Sequence, residues 1–371
     1  MALLGGRDSR DLVVWTGVDA SELRKFTLQD GTTFETVVGL LDGALTALNA
    51  ELNADPLYSS LIGGVTDNPE VSYRMGAPNG FSDYDEYTRP DPNRAEVDGH
   101  MLPLKPADYA LRWTWDYLRK AYSAQIDADI ADAVQACRDL VRKRTLSRLI
   151  KRADDSGKAN GLGTGGYSVG FATAAANTAV DFAPPAFNGT TFDTSHEHYA
   201  AAGSSLTSAQ MVTNMKNLRQ HGHTAPFDLL ISETDEATVR GFTDFISAID
   251  PLIQYGASAN TVNLAGGYIG YLTASMARVR IAPGFPTNYT FMFKNYGQGS
   301  QLNPLRVRVQ KGQPARWNFM GMPDPRQGGV SPANPLGTLI LWTEFGVGVG
   351  PDRTNGVAHR NNASWADGTV S

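Results

Sequence analysis

A single cysteine, Cys137, stands among 371 residues. That excludes an intramolecular disulfide framework and suits folding in a reducing cytoplasm. Positive charge is also short: 32 Lys and Arg against 38 Asp and Glu give a formal net charge of −6 and a pI near 5.5. A protein whose main work is gripping nucleic acid through its phosphates carries the opposite balance, so that class is excluded. No apolar run approaches the ~18 residues of a membrane span. Residues 1–11 are charged and lack the apolar centre of a secretory signal, so none is expected. No fixed-period repeat is visible.

Hydrophobic residues make up 42% and charged residues 19% of the chain, the balance of a folded soluble protein and not a disordered one. The 38 Gly and 20 Pro gather in 78–106, 157–170, 283–286 and 304–356. Much of the chain therefore reads as punctuated loop or extended arm, more than a compact enzyme needs.

Residues 33–52 read as the clearest N-terminal helix. Phe34, Val37, Val38, Leu41, Leu45, Leu48 and Leu52 make one apolar face. Thr32 with Glu35 has capping-box spacing, and Asp55-Pro56 stops the helix. Residues 71–75 alternate like a strand, with 101–105 as a return partner. Between them lie about two dozen residues rich in Asp, Glu, Arg, Pro and Tyr. So long an insertion without a core of its own is expected to leave its subunit and rest on a neighbour.

A second helical stretch is expected from Ala107, breaking near Ser123 and continuing to about Asp154. Ile126, Ile130, Val134, Cys137, Val141, Leu146, Leu149 and Ile150 supply its stripe, and some thirty residues give roughly 45–50 Å of rod. Asp127, Asp129 and Asp132 fill its first half. Arg138, Arg142, Lys143, Arg144, Arg148, Lys151 and Arg152 follow, which complements the helix macrodipole. The same cations could meet acidic arms of other subunits or a packaged genome. After a Gly-rich link at 157–170 the pattern becomes α/β. Helices are expected at 206–220 and 232–246, and strands at 227–231, 267–272, 278–281, 289–293, 307–309 and 339–345.

Candidate chemistry is thin. His196-Glu197-His198 and His221-Gly222-His223 offer four imidazoles and a carboxylate, ligands suited to zinc or another borderline metal. No His-Glu-x-x-His helix or cysteine pair supports them, so a structural or surface role is expected and no metal or cofactor is assigned. Residues 161–166 (GLGTGG) lack the Lys-Ser/Thr ending of a phosphate loop and follow a helix, which marks them as a flexible link. No Gly-x-Ser-x-Gly elbow is present. Cys137 falls on the apolar stripe and reads as core, not nucleophile. Trp113, Trp115, Tyr117 and Tyr122, with Arg112 and Arg119, suit packing or a subunit interface.

The order of elements resembles the Hong Kong 97 lineage of tailed-phage major capsid proteins. Residues 109–120 (YALRWTWDYLRK), 196–199 (HEHY) and 337–349 (GTLILWTEFGVGV) are the phrases similar to phage relatives. The resemblance implies an α+β fold: an N-terminal arm at 1–64, an extended hairpin loop at 65–106, a peripheral domain with a spine helix at 107–170, an axial α/β domain at 171–305, and return strands at 306–371. It implies a non-enzymatic shell subunit of the virion, assembled in the bacterial cytoplasm. Hexamers and pentamers of the chain itself would close an icosahedron around double-stranded DNA. A portal and scaffolding or decoration proteins would be partners, and no membrane. Tyr84, Tyr87, Arg89, Arg94, Trp113, Trp115, Arg142 and Arg148 are the inter-subunit contacts so implied. No long scaffold-like segment precedes the arm, so scaffolding is expected from a separate protein or not at all. Lys105 borders the hairpin loop, but no Glu or Asn partner marks a covalent cross-link. An encapsulin-like compartment shares the fold, and a metal-dependent enzyme built on the four histidines is the alternative outside it.

Overall fold

The computed structural model describes residues 27–75, 96–153, 155–157, 165–167, 170–171, 196–249, 261–263, 267–313, 315–323 and 336–370. The chain divides into two compact units. One comprises Met1–Asp55, Lys105–Val141 and Gln313–Phe345; the other comprises Pro56–Leu104, Arg142–Gly312 and Gly346–Ser371.

In the first unit the expected helix forms over Phe34–Ala54, burying Val37, Leu41, Leu45, Leu48 and Leu52. Its cap is Thr33 and not Thr32: the Thr33 hydroxyl accepts from the Thr36 amide, while the Thr32 amide donates to Asp30. The buried face lies over the strand Met320–Pro323. There a Cβ at Gly321 would meet Leu45 and Leu41 at 3.4–3.5 Å, ordinary van der Waals contact, so the helix lies directly on the strand. Two asparagines one turn apart extend the docking. Asn49 donates to Phe319 O at 3.0 Å and accepts from Phe319 N at 2.9 Å. Asn53 makes the same pair of bonds with Trp317, at 2.9 and 3.3 Å.

Residues 107–114, expected as the start of a helix, belong to a strand. Lys105–Thr114 pairs antiparallel with the first ten residues of the long strand Leu336–Val349, from Lys105↔Phe345 to Thr114↔Leu336. Leu111 and Trp113 are buried while Arg112 and Thr114 are exposed, a period of two over the end of the strand. Met320–Pro323 flanks the other edge of the long strand. A short helix, Trp115–Lys120, capped by Thr114, follows.

The spine helix runs over Ser123–Ile150, starting at the expected break and ending four residues early. Its first amide is held by Asp30 Oδ2 at 2.8 Å. Ile126, Ile130, Cys137, Val141, Leu146, Leu149 and Ile150 are buried as expected. Burial pushes the Cys137 thiol up to about 11, the state of a core residue.

In the second unit, Glu70–Met75 pairs antiparallel with Glu96–Met101, Val71 opposite His100. The return partner thus begins five residues before the expected one, and residues 76–95 between the strands lie outside the described residues. Ile62–Thr66 pairs parallel with Leu305–Val309. The Gly-rich link carries its own small ribbon, Asp155–Gly157 against Gly165–Tyr167, while 158–164 lie outside the described residues.

The main sheet of this unit has eight strands in the order 261–263, 245–249, 268–272, 277–281, 227–231, 289–293, 357–360, 199–201. Phe227–Ile231 is central and wholly buried. Helix Ser208–Gln220 packs Met211, Met215 and Leu218 against Phe227, Leu229, Ile231, Leu272 and Val279. Its N-terminus is a capping box between Thr207 and Gln210. The helix expected at 232–246 shrinks to a 3-10 turn, Glu233–Asp235, and one helical turn and a half, Glu236–Arg240. Gly241 ends it, and Phe245–Ile249 joins the sheet. Among the described residues no helix is long and apolar enough to cross a membrane.

Candidate functional site

The histidine pairs flank the helix Ser208–Gln220. His196 and His198 precede the edge strand Tyr199–Ala201, and two residues apart in extended chain they share a face. His221 is the C-cap of the helix. Two bonds draw these segments together and onto the sheet: Asn217 Nδ2 donates to Glu197 O at 3.2 Å, and Ala358 N donates to His198 O at 2.8 Å.

Three of the four rings meet at one point. The Nε2 atoms of His196 and His198 are 3.1 Å apart, and each lies 2.9 Å from His221 Nε2. The ring centroids are 4.9–5.1 Å apart and the planes are splayed by 48–74°, so the rings point their tips inward like a tripod. His198 is fully buried, His196 nearly so, and His221 half-buried. Burial, reinforced by the neighbouring imidazoles, lowers His198 to about 3 and His221 to about 2. Both rings are therefore neutral at physiological pH. His198 Nδ1 lies 2.7 Å from Gly356 O. Gly356 is itself a close-approach position: a Cβ there would fall 2.6–2.8 Å from Phe171 and Phe291.

His223 does not join the tripod. Its Nδ1 contacts Tyr296 OH at 2.8 Å and its Nε2 contacts Thr354 Oγ1 at 2.9 Å, with Asp352 3.8 Å away. Glu197 is also turned elsewhere, pairing with Arg152 at 3.2 Å and accepting from Tyr199 N. The four-histidine site thus reduces to three ligands. Of the structural or surface role expected for the pairs, burial of His196, His198 and His223 leaves the structural one. The i, i+2 spacing was the readable signal. That His221 would join it depended on where the helix ends against the sheet, which no local pattern encodes.

Of the residues singled out for subunit contacts, Tyr84, Tyr87, Arg89 and Arg94 lie outside the described residues, as does the Trp115 side chain. Trp113 is buried and donates from Nε1 to Asp129 Oδ2 at 2.7 Å. Arg148 is buried with its guanidinium on the carbonyls of Lys151 and Ala153. Both are engaged within the chain, which leaves them little surface to offer a neighbour. Arg142 is half-buried. Sequence reasoning passed over Tyr109, which is 39% exposed and stands near Tyr117 and Tyr122 in the chain, themselves 37% and 52% exposed.

The fold is one found in bacteriophage capsids. A structure described as Mycobacterium phage Patience is similar over 94% of this chain and 93% of its own, with a TM-score of 0.64 at 20% identity. The capsid asymmetric unit of cyanophage A-1(L) is similar over 83% of this chain and 93% of its own, with a TM-score of 0.50 at 14% identity. No protein-family model matches the sequence, and no curated protein is similar to it.

Proposed function

We propose that this chain is the major head subunit of a tailed phage, acting through copies of itself and not as an enzyme. The observation that carries the reading is a fold shared with a mycobacteriophage structure over 94% of this chain and with a cyanophage capsid over 83% of it. In this reading hexamers and pentamers close an icosahedral shell around double-stranded DNA, with a portal at one vertex. Assembly takes place in the host cytoplasm, with scaffolding or decoration proteins as further partners. The arm is residues 1–64, the hairpin loop 65–106, the peripheral domain 107–170 with 306–371 returning to it, and the axial domain 171–305.

Association supplies the mechanism. A subunit that lays arm, loop and domain edges on several neighbours removes far more surface than a standard interface of ~1,600 Å². Each contact can be modest, because closure with symmetry multiplies them. Two features support the outreach: the paired strands Glu70–Met75 and Glu96–Met101, which are the base of a hairpin, and the exposed aromatics Tyr109, Tyr117 and Tyr122. Tyr84, Tyr87, Arg89 and Arg94 would carry the hairpin's contacts, with Trp115 and Arg142 adding to them.

Negative-stain microscopy of the expressed chain tests the reading directly, and closed shells are expected. A folded monomer at high concentration would end it. Small shells carrying an enzyme, without portal or DNA, would favour a compartment instead. Deleting residues 78–98 should leave folded subunits that fail to make stable shells; shells unchanged by the deletion would refute the role given to the hairpin.

A further inference from the structure

We infer that His196, His198 and His221 form a binding site for one first-row divalent transition-metal ion, with zinc its natural occupant, bracing the axial part of the subunit. The argument begins with hydrogen atoms. A carbonyl only accepts, so His198 Nδ1 carries the proton given to Gly356 O, and its Nε2 presents a lone pair in the neutral ring. Each of the other two Nε2 atoms presents either a proton or a lone pair. Three atoms in mutual contact cannot alternate two kinds, so at least one of the three 2.9–3.1 Å edges sets like against like. A cation that accepts a lone pair from every corner resolves all three edges together.

The geometry meets that requirement. A point about 1.1 Å above the centre of the Nε2 triangle lies about 2.05 Å from each nitrogen, the zinc–imidazole bond length, with N–metal–N angles of about 90–98°. As it stands the triad caps one face of an octahedron; opening the edges to about 3.35 Å gives the tetrahedral angle. The His198–Gly356 bond is the outer contact that fixes tautomer and ring orientation at metal sites. His221 closes a helix, so the negative end of that helix dipole faces the site.

The chemistry of the donors selects the ion. There is no carboxylate among the three, Glu197 being held by Arg152. Hard ions such as calcium and magnesium, which need oxygen ligands, are rejected, and imidazole-seeking ions are taken. Bound there, the ion would tie the segment 196–198 to the end of the helix Ser208–Gln220 and, through Gly356, to the sheet.

The test uses the full chain. Elemental analysis after dialysis should find one zinc per chain, and the stripped protein titrated with zinc chloride alone should rebind one equivalent. X-ray absorption of the zinc-loaded protein should show three imidazole nitrogens at about 2.0–2.1 Å. H196A and H221A should each lose stoichiometric zinc and bind at least about tenfold more weakly. H223Q, with its ring outside the tripod, should keep it. Circular dichroism of each variant establishes that it is folded. Wild-type protein that takes up no stoichiometric zinc, or an absorption spectrum with fewer than three imidazoles, overturns the inference without relying on any variant. Zinc retained by folded H196A and H221A overturns it as well.

Discussion

Asp228 is the second residue of the wholly buried strand Phe227–Ile231, where a carboxylate would ordinarily be an error. It is 1% exposed, and each oxygen is committed. Arg278 donates to Oδ1 from two nitrogens at 2.6–2.7 Å, Tyr268 donates to Oδ2 at 2.7 Å, and Asn295 adds a longer bond at 3.3 Å. These donors come from three separate segments, so the carboxylate joins two neighbouring strands and the loop after a third. Removing it strands a guanidinium that is only 26% exposed. D228A should therefore cost about 3 kcal/mol, toward the lower end for a broken buried pair. A chemical-denaturation shift below about 1 kcal/mol would show that the network contributes little. Asp30 makes the opposite case at the surface. Hydrogen bonds from Ser123, then from Thr32, hold its carboxyl well below the usual carboxylate range. Since the folded state prefers the ionised form, its contribution is present above about pH 4 and fades as the pH falls further. D30N should melt earlier than the parent at pH 7, and the gap should begin to narrow below about pH 4 and go on narrowing as the pH falls further; a gap that stays constant with pH would refute the charge-based account.

At the scale of elements, what the sequence revealed depended on how local the cause was. The helices Phe34–Ala54, Ser123–Ile150 and Ser208–Gln220 are readable because each carries its apolar stripe within the segment itself. Residues 107–114 are not, because the ten partners of Lys105–Thr114 lie more than 200 residues away on the long strand. Glu236–Arg240 fell short of its expected length because Gly241 and the sheet edge beyond took over. The strand Val357–Arg360, which completes the histidine site through Gly356, is too short to show a pattern. The asparagine docking of the N-terminal helix belongs with these hidden features. Asn49 serves both the amide and the carbonyl of Phe319, a residue 4% exposed. N49A should leave two backbone groups short of partners and cost about 1–2 kcal/mol. If thermal melting is unchanged, water replaces the amide and the docking is incidental.

For the whole molecule the informative quantity is charge and where it is spent. The net charge of −6 says that the chain as a whole repels DNA. The cations most suspect as phosphate contacts, those of the spine helix, are partly consumed at home. Arg138 pairs with Glu51 at 2.6 Å, and Arg148 is buried on carbonyl oxygens. Elsewhere Arg152, Arg240 and Arg278 pair with Glu197, Glu236 and Asp228 of the same chain. In the proposed reading such an arrangement serves a container, because a wall that clung to every phosphate would resist both filling and emptying. Each phosphate contact adds to the salt dependence of binding, so cations already paired within the chain should leave weak affinity and a shallow salt slope. Free subunits mixed with duplex DNA at about 150 mM salt should accordingly show no tight complex by fluorescence anisotropy. Tight binding that survives a rise in salt would mean that the chain grips nucleic acid by more than charge, and that its acidic balance is no guide to how it meets a genome.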